Sequence, residues 1–296
     1  MENKFDKEWL VCNGLGGYAS GAINGANTRT YHGLLVAALQ PPVNRMVMVA
    51  KVEERVRVEN KYHDLSTNEY PARVHPDGAQ YLKEFQFDEF PCWHYGAESW
   101  QLKKSVTMVN GQHTTLVAYK NVGKANIDLE VHPLYAYTSF HAVQHENPTQ
   151  DFYTTQFANH IKTYAQHGCR PVFTALSAGH FLEGRNWYKH ILLARERERG
   201  HEHVCDYYRI GYIICTLKPE AELVLCFSLE EENVHNALKG GLASSIKSAL
   251  KSDSLNASFY RDLLRSGRQF IVDRKSTNGK TIVAGYHWFA DWVATP

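Results

Sequence analysis

The stretch Asn13-Gly14-Leu15-Gly16-Gly17-Tyr18-Ala19-Ser20-Gly21 holds the first residues whose spacing could do chemistry. Gly14-x-Gly16-x-x-Ala19 has the form of a dinucleotide fingerprint, in which glycines let backbone approach a pyrophosphate at a helix start. Its surroundings do not fit. Gly21-Ala22-Ile23-Asn24-Gly25 is a poor helix, no acid follows about 20 positions on, and no βαβ alternation encloses the motif. Two readings remain: a glycine turn that permits tight packing, and a loop that faces a sugar. Just downstream, Asn27-Thr28-Arg29-Thr30-Tyr31-His32-Gly33 carries groups that hydrogen-bond hydroxyls, and Tyr31 adds a ring face for a pyranose. On the sugar-facing reading, Asn13, Gly14, Tyr18, Arg29, Tyr31 and His32 are the candidate substrate-binding residues.

Other chemistries find less support. Sixteen histidines raise the question of a metal, especially His201-Glu202-His203 and the pair His141 and His145. No HExxH and no Cys/His quartet occurs, so neither a metal site nor a cofactor is expected. Arg195-Glu196-Arg197-Glu198-Arg199 alternates sign and reads as a solvated face. Glycoside hydrolysis needs two carboxyl groups flanking the scissile bond. Asp88, Glu89, Glu98, Glu146, Glu183 and Asp206 lie near aromatics, yet no pattern singles out a pair, and no Gly-x-Ser-x-Gly elbow is present. No catalytic residue is assigned.

The elements that must position these groups are mostly strands. Period-two alternation recurs at Arg55-Val56-Arg57-Val58-Glu59, around Val106-Thr107-Met108 and at Ile127-Asp128-Leu129-Glu130-Val131-His132, each placing apolar groups on one face. Asn110-Gly111, Asn121-Val122-Gly123, Pro76-Asp77-Gly78 and Asn278-Gly279 punctuate them as turns of an antiparallel architecture. Apolar runs at Tyr212 to Leu217 and Leu223 to Leu229 predict strands buried on both faces. After Ser228, capping-box spacing to Glu231 and a stripe of Val234, Leu238, Leu242, Ile246 and Leu250 predict a helix, weakened by Gly240 and Gly241. A second helix is expected from near Asn256 to Arg268, with Phe259, Leu263 and Leu264 inward. Gly285-Tyr286-His287-Trp288-Phe289-Ala290-Asp291-Trp292 is too aromatic for a free tail and must be buried against something.

Composition bounds the rest. At 296 residues, 44% apolar and 21% charged, the chain has a globular composition. A net charge of +1 gives no overall attraction for a polyanion, so nucleic acid is a poor partner. No apolar stretch approaches the roughly 20 residues that cross a bilayer, and Met1-Glu2-Asn3-Lys4-Phe5-Asp6-Lys7 lacks the apolar core of a secretory signal. A cytoplasmic protein without membrane partners is expected. Its six scattered cysteines, with no CxxC, are expected to be reduced thiols.

Glu8-Trp9-Leu10-Val11-Cys12 running into the glycine loop, followed by Asn27 to Ala37, closely resembles the opening of archaeal/bacterial-type glycogen debranching enzymes. His145-Glu146-Asn147, Arg195 to Gly200 and Gly279 to Trp292 extend the likeness over most of the chain. The resemblance implies a mainly β supersandwich, like the N-terminal domains of bacterial glucoamylases and the sugar mutarotases. It would precede an (α/α)6 barrel that carries the catalytic acid and base for amylo-α-1,6-glucosidase activity on glycogen. It also implies that Trp288, Asp291 and Trp292 begin the barrel and approach sugar. The family's Gly-Arg-Asp-Thr after that tryptophan is replaced here by Val293-Ala294-Thr295-Pro296, and Tyr137-Thr138-Ser139-Phe140-His141 departs from an Arg-Asp-Tyr-His type of sequence.

The expected organisation is therefore a supersandwich over 1–230, linker helices over 231–270, and the start of a truncated barrel over 271–296. The chain alone is expected to be inactive, with the missing barrel as its intramolecular partner and α-glucan as the substrate of the full enzyme; its oligomeric state is left open. Two other classes are distinct: a stand-alone sugar-binding module with Trp93, Tyr95 and Trp100 as a stacking platform, and an aldose epimerase, for which no local motif is found.

Overall fold

The computed structural model describes residues 7–237, 239, 263–264 and 266–291. In chain order the first strands are β1 (Glu8–Cys12), β2 (Tyr18–Ala22), β3 (Gly33–Gln40), β4 (Val43–Val58), β5 (Lys61–Asp64), β6 (Thr67–Tyr70) and β7 (Arg73–Asp77). There follow β8 (Leu82–Phe87), β9 (Pro91–Gly96), β10 (Gln101–Met108), β11 (Thr114–Asn121), β12 (Ile127–Ser139), β13 (Tyr153–Gln156) and β14 (Ile161–Tyr164). The last are β15 (Val172–Leu176), β16 (His180–Leu192), β17 (Val204–Leu217), β18 (Glu222–Ser228), β19 (Ile271–Arg274) and β20 (Gly279–Ile282), with helix α1 (Ala194–Glu198) between β16 and β17.

Two eight-stranded antiparallel sheets result. One runs β1-β2-β3-β4-β12-β17-β16, with β5 also on β4; the other runs β13-β14-β15-β18-β11-β10-β9-β8. Their facing sides share one apolar core that includes Leu35, Val56, Leu102, Val117, Ile127, Tyr135, Leu225 and Phe227. This is the mainly β supersandwich that the alternation and the resemblance called for. On β12, Ile127, Leu129 and Val131 turn inward while Asp128 pairs across the wet face with Arg57 of β4 at 2.7 Å. The hairpins β6–β7 and β19–β20 form two small separate sheets.

Several expectations need correction. Tyr212 to Leu217 is not buried on both faces: Ile213 and Leu217 turn inward, but Ile214 is 37% exposed, because no described element covers the outer side of β17 there. Leu223 to Leu229 is buried throughout, since Leu225 and Phe227 face the main core while Val224 and Cys226 pack under Val234 and Ala237 of the helix that begins at 231. Ser228 Oγ accepts the Glu230 amide at 3.1 Å near that helix start. Leu263 and Leu264 are helical but exposed rather than inward. Leu238, Leu242, Ile246, Leu250, Phe259 and Trp292 lie outside the described residues.

Asn110-Gly111 and Asn278-Gly279 are hairpin turns, with φ of +76° at Gly111 and +48° at Asn278. Asn121-Val122-Gly123 is instead a crossover between sheets: Asn121 is buried, and its amide ties Ala125 and Leu217 carbonyls at 2.8 and 2.9 Å. The charge run forms α1 and is not wholly solvated, because Glu196 is buried and bonded to Arg199. Trp93, Tyr95 and Trp100 are core residues, at most 5% exposed, and cannot form a stacking platform. All six cysteines are free.

Candidate functional site

The loop that joins β1 to β2 is closed by its own asparagine. Asn13 Oδ1 accepts the Leu15 amide at 2.9 Å, and Asn13 N donates to Gly17 O at 3.2 Å. The Asn13 side-chain amide donates to Gln112 O at 2.9 Å and lies 3.0 Å from His113 Nδ1, so this fully buried residue spends its polar groups on the loop and the β10–β11 turn. Gly16 has φ of +84°, and a Cβ there would lie 2.6 Å from Pro42 O. Gly14, at φ +75°, offers its carbonyl to Asp273 N of β19 at 2.9 Å. The glycines thus serve close backbone packing.

The second loop folds back on the first. His32 N donates to Arg29 O at 3.2 Å, a turn that sets both side chains beside Glu8 of β1. Arg29 Nε donates to Glu8 Oε1 at 2.6 Å, and His32 Nε2 lies 3.4 Å from the same oxygen. Burial would raise the Glu8 pKa, but His32 and Arg29 outweigh it and hold the carboxyl down at about 2. Tyr18 is fully buried and donates from its hydroxyl to Tyr31 O at 2.9 Å. Tyr31 meets His141 Nδ1 at 3.1 Å through its own hydroxyl and packs edge-on against Phe140.

Onto these loops the segment after β20 is laid. His287 Nε2 lies 2.6 Å from Ser20 Oγ, whose proton goes to Trp9 O at 2.7 Å, so the imidazole is the donor. Burial above all, with the nearby Arg29 and Arg45 guanidiniums, lowers the His287 pKa to about 3. Trp288, half-buried, lies under the Arg29 guanidinium, 5.3 Å from its ring centre, and 6.2 Å from the Tyr31 ring. Asp291 stands apart from that cluster, its carboxylate accepting from Arg274 at 2.7 Å.

Arg45 of β4 clamps both layers. Its guanidinium is buried, donates to Gly16 O at 2.7 Å, His287 O at 3.3 Å and Phe289 O at 2.8 Å, and faces the rings of Tyr18, Phe140 and Tyr286 within 5.9 Å. Of the candidate residues, then, Tyr18, Arg29, Tyr31, His32 and Trp288 converge, with Asn13 and Gly14 behind them. Glu8, Ser20, Arg45 and His287 were not singled out beforehand. Ser20 lies inside the glycine stretch and Glu8 in the run that leads into it, whereas Arg45 gives no local signal at all.

Glu8, His32 and His287 place three metal-type donors within 4.8 Å of one another. A ring proton and a guanidinium already face the Glu8 carboxylate. Thr28 N donates to His32 Nδ1 at 3.1 Å, so His32 carries its proton on Nε2, facing the Glu8 carboxylate. A cation would meet that N–H and the adjacent Arg29 guanidinium, and the donor set does not fit a metal ion. Nor does Glu8 fit a general acid, which must hold a proton near neutral pH. The arrangement is suited to holding the 285–291 segment on the sandwich.

A second feature is an open groove of about 860 Å³ lined by Glu146, Asn147, Gln150, Tyr153, Arg185 and Trp187, among others. Trp187 is propped edge-on by Phe152 and Tyr208, with ring centres 5.6 and 5.0 Å away.

The family model for the N-terminal part of glycogen debranching enzymes matches residues 7–224. The chain belongs to this family. The match spans both loops, Arg45 and the two large sheets, leaving β19, β20 and the 285–291 segment beyond it. No curated protein sequence matches the chain. Among solved structures, the debranching-type domain is similar to a protein assigned as a kojibiose phosphorylase from the human microbiome, at 11% identity and a TM-score of 0.49, over 93% of this chain and 40% of that one. It is also similar to a bacterial glucoamylase complexed with acarbose, at 11% identity and a TM-score of 0.41, over 90% of this chain and 39% of that one. The chain thus spans about two fifths of the length of these proteins. No described helix is long and apolar enough to cross a membrane.

Proposed function

We propose that this chain is the non-catalytic supersandwich of a glycogen debranching enzyme that hydrolyses α-1,6-glucosidic branches, its acid and base supplied by an (α/α)6 barrel. The observation that carries this reading is the seat built by the two N-terminal loops. The 285–291 segment, which resembles the first residues of the barrel, rests there through His287 on Ser20 and through Arg45 on two of its carbonyls. Arg29, Tyr31 and Trp288 form the open side of the seat, where they would border sugar bound in the barrel. Asp291, held by Arg274, would lie at the same border. Glu53, Glu54 and Glu196 are buried against Lys51, Lys104 and Arg199, and buried Asp206 accepts the Glu146 and His190 amides, which supports a structural body rather than a cleavage site. Six free thiols accord with a cytoplasmic setting. Glucose release from a limit dextrin by this chain alone should stay at the blank level; turnover above it refutes the reading.

Glucan capture by the chain itself is a second reading, favoured by the groove around Trp187, where an indole, a phenol, amides and an arginine offer stacking and hydroxyl recognition. Calorimetric titration with maltooligosaccharides separates the two. Heat that is saturable in the wild type and lost in Trp187→Ala supports capture, whereas no heat supports a purely structural role.

A further inference from the structure

A second cluster of histidines lies far from the seat, at the outer edge of the second sheet. The hairpin turn between β13 and β14 carries Asn159 and His160, and the helix that begins at 231 carries Glu231 and His235. His160, Glu231 and His235 bring three donor atoms within 4.8 Å of one another. Glu231 and His235 are four apart and share one helix face. His160 is fixed from the other side, its ring stacked on Phe157 at 4.6 Å and lying 5.8 Å from Phe173.

The protons are arranged differently here from those around Glu8. Asn159 Oδ1 lies 3.2 Å from His160 Nδ1, and a carbonyl oxygen can only accept, so the His160 proton sits on Nδ1. Nε2 is left with its lone pair. That atom is buried without a hydrogen-bond partner in a side chain only 4% exposed, and Glu231 Oε1, an acceptor as well, lies 3.3 Å away. Two acceptors so placed repel each other unless a cation or a shared proton lies between them, and a ring nitrogen of His235 lies within 4.8 Å of both. In the other cluster, His32 Nε2–H and the Arg29 guanidinium fill that role; here the Asn159 side-chain amide lies 3.3 Å from His235 Nδ1, a contact that the His235 ring gives up when it binds a metal.

We infer that His160, Glu231 and His235 bind a divalent transition-metal ion of the zinc class, which staples the helix after β18 to the outermost hairpin of the second sheet. Two imidazoles and one carboxylate are a zinc-type donor set, while magnesium and calcium take oxygen ligands. The Asn159 contact on Nδ1 is the outer-shell bond that turns a histidine's Nε2 toward a metal. Glu231 is 55% exposed, so the ion reaches the site without opening the sandwich and keeps a water-facing position.

Metal-stripped full chain, titrated with Zn²⁺ by calorimetry and with Co²⁺ by visible absorption, tests this. The expected result is one ion per chain, the absorption of a four-coordinate Co²⁺ site, and a rise in Tm on adding Zn²⁺. Affinity should fall about tenfold or more in His160→Ala, Glu231→Gln and His235→Ala. It should stay unchanged when His201 and His203, on a different loop, are both replaced by alanine, and Mg²⁺ should give no response. Should His160→Ala fail to fold, the half-buried His235→Asn gives the same readout. Absence of saturable Zn²⁺ binding, or wild-type affinity in Glu231→Gln and His235→Asn, overturns the inference and assigns a proton as the shared cation.

Discussion

His287 donates to Ser20 across 2.6 Å and 267 positions of chain. This bond fastens the segment after β20 to the hairpin made by β1 and β2, and it is sheltered from water on both sides. Its partner for the remaining proton, Trp9 O, belongs to the strand beside it, so loss of the serine hydroxyl strands a buried N–H. Ser20→Ala should cost about 1–3 kcal/mol in urea unfolding. Amide exchange across 285–291 should accelerate more than exchange in β12. Equal protection of the segment in both proteins would contradict the latch.

Acid should loosen the same contact. The His287 pKa falls from 6.5 in its ordinary state to about 3 when folded, so between those values the unfolded chain binds a proton that the folded chain refuses. Stability therefore rises with pH across that window and is lost as pH falls through it, at about 1.4 kcal/mol per unit while only the unfolded form is protonated. Glu8, depressed from 4.5 to about 2, adds a loss of the same sign at the lower end. Urea midpoints measured from pH 7 to pH 3 should show the slope, and His287→Gln should flatten its upper part.

Two glycines separate backbone strain from lack of space. Gly111 has φ of +76° with nothing within 4 Å of a built Cβ, whereas Gly16 has φ of +84° and would press a Cβ to 2.6 Å from Pro42 O. Gly111→Ala should cost about 1–2 kcal/mol for the left-handed conformation alone. Gly16→Ala should cost more, because Pro42 and the Arg45 bond to Gly16 O must also shift. Similar losses in the two variants would show that the loop yields freely.

Arg45→Met keeps much of the side-chain volume and removes the clamp. Three carbonyls on two separate segments lose their donor, for an expected loss of about 3–5 kcal/mol. Limited proteolysis should then cut within 285–291 before it cuts within the sheets.

The thiols should sort by how far their pKa is raised. Burial pushes the pKa of Cys12 and of Cys205 up to about 12, and Cys226 is raised as well, so these three should stay unlabelled by a thiol reagent in the native chain at pH 8. All six should react in denaturant. Fast native labelling of Cys12 would mean that the seat opens readily.

Alternation along single strands was legible without a structure. Val56 and Val58 on β4, and Ile127, Leu129 and Val131 on β12, turn inward as their spacing requires, because a strand's two faces follow from chain geometry alone. The polar residues after β18 marked a coming helix as well; it begins at 231, just beyond the Ser228 Oγ that accepts the Glu230 amide. The glycine loop and the Asn27–Gly33 stretch stood out by composition, and the family followed from them.

What the sequence left undecided depended on which surfaces meet. Ile214 is exposed and Val224 buried, although both sit in apolar runs, because the 231–237 helix covers β18 while no described element covers the outer face of β17 at Ile214. Trp93 and Trp100 are types that serve equally in a core or on a platform, and only the sheet packing placed them inside. Glu8, Ser20, Arg45 and His287 became one site because the chain returns to its beginning after some 240 intervening residues. Short-range order is a property of spacing, which the sequence states outright. Burial, proton placement and ion pairing are properties of neighbours, and those were chosen only when the two sheets and the last segment closed on each other.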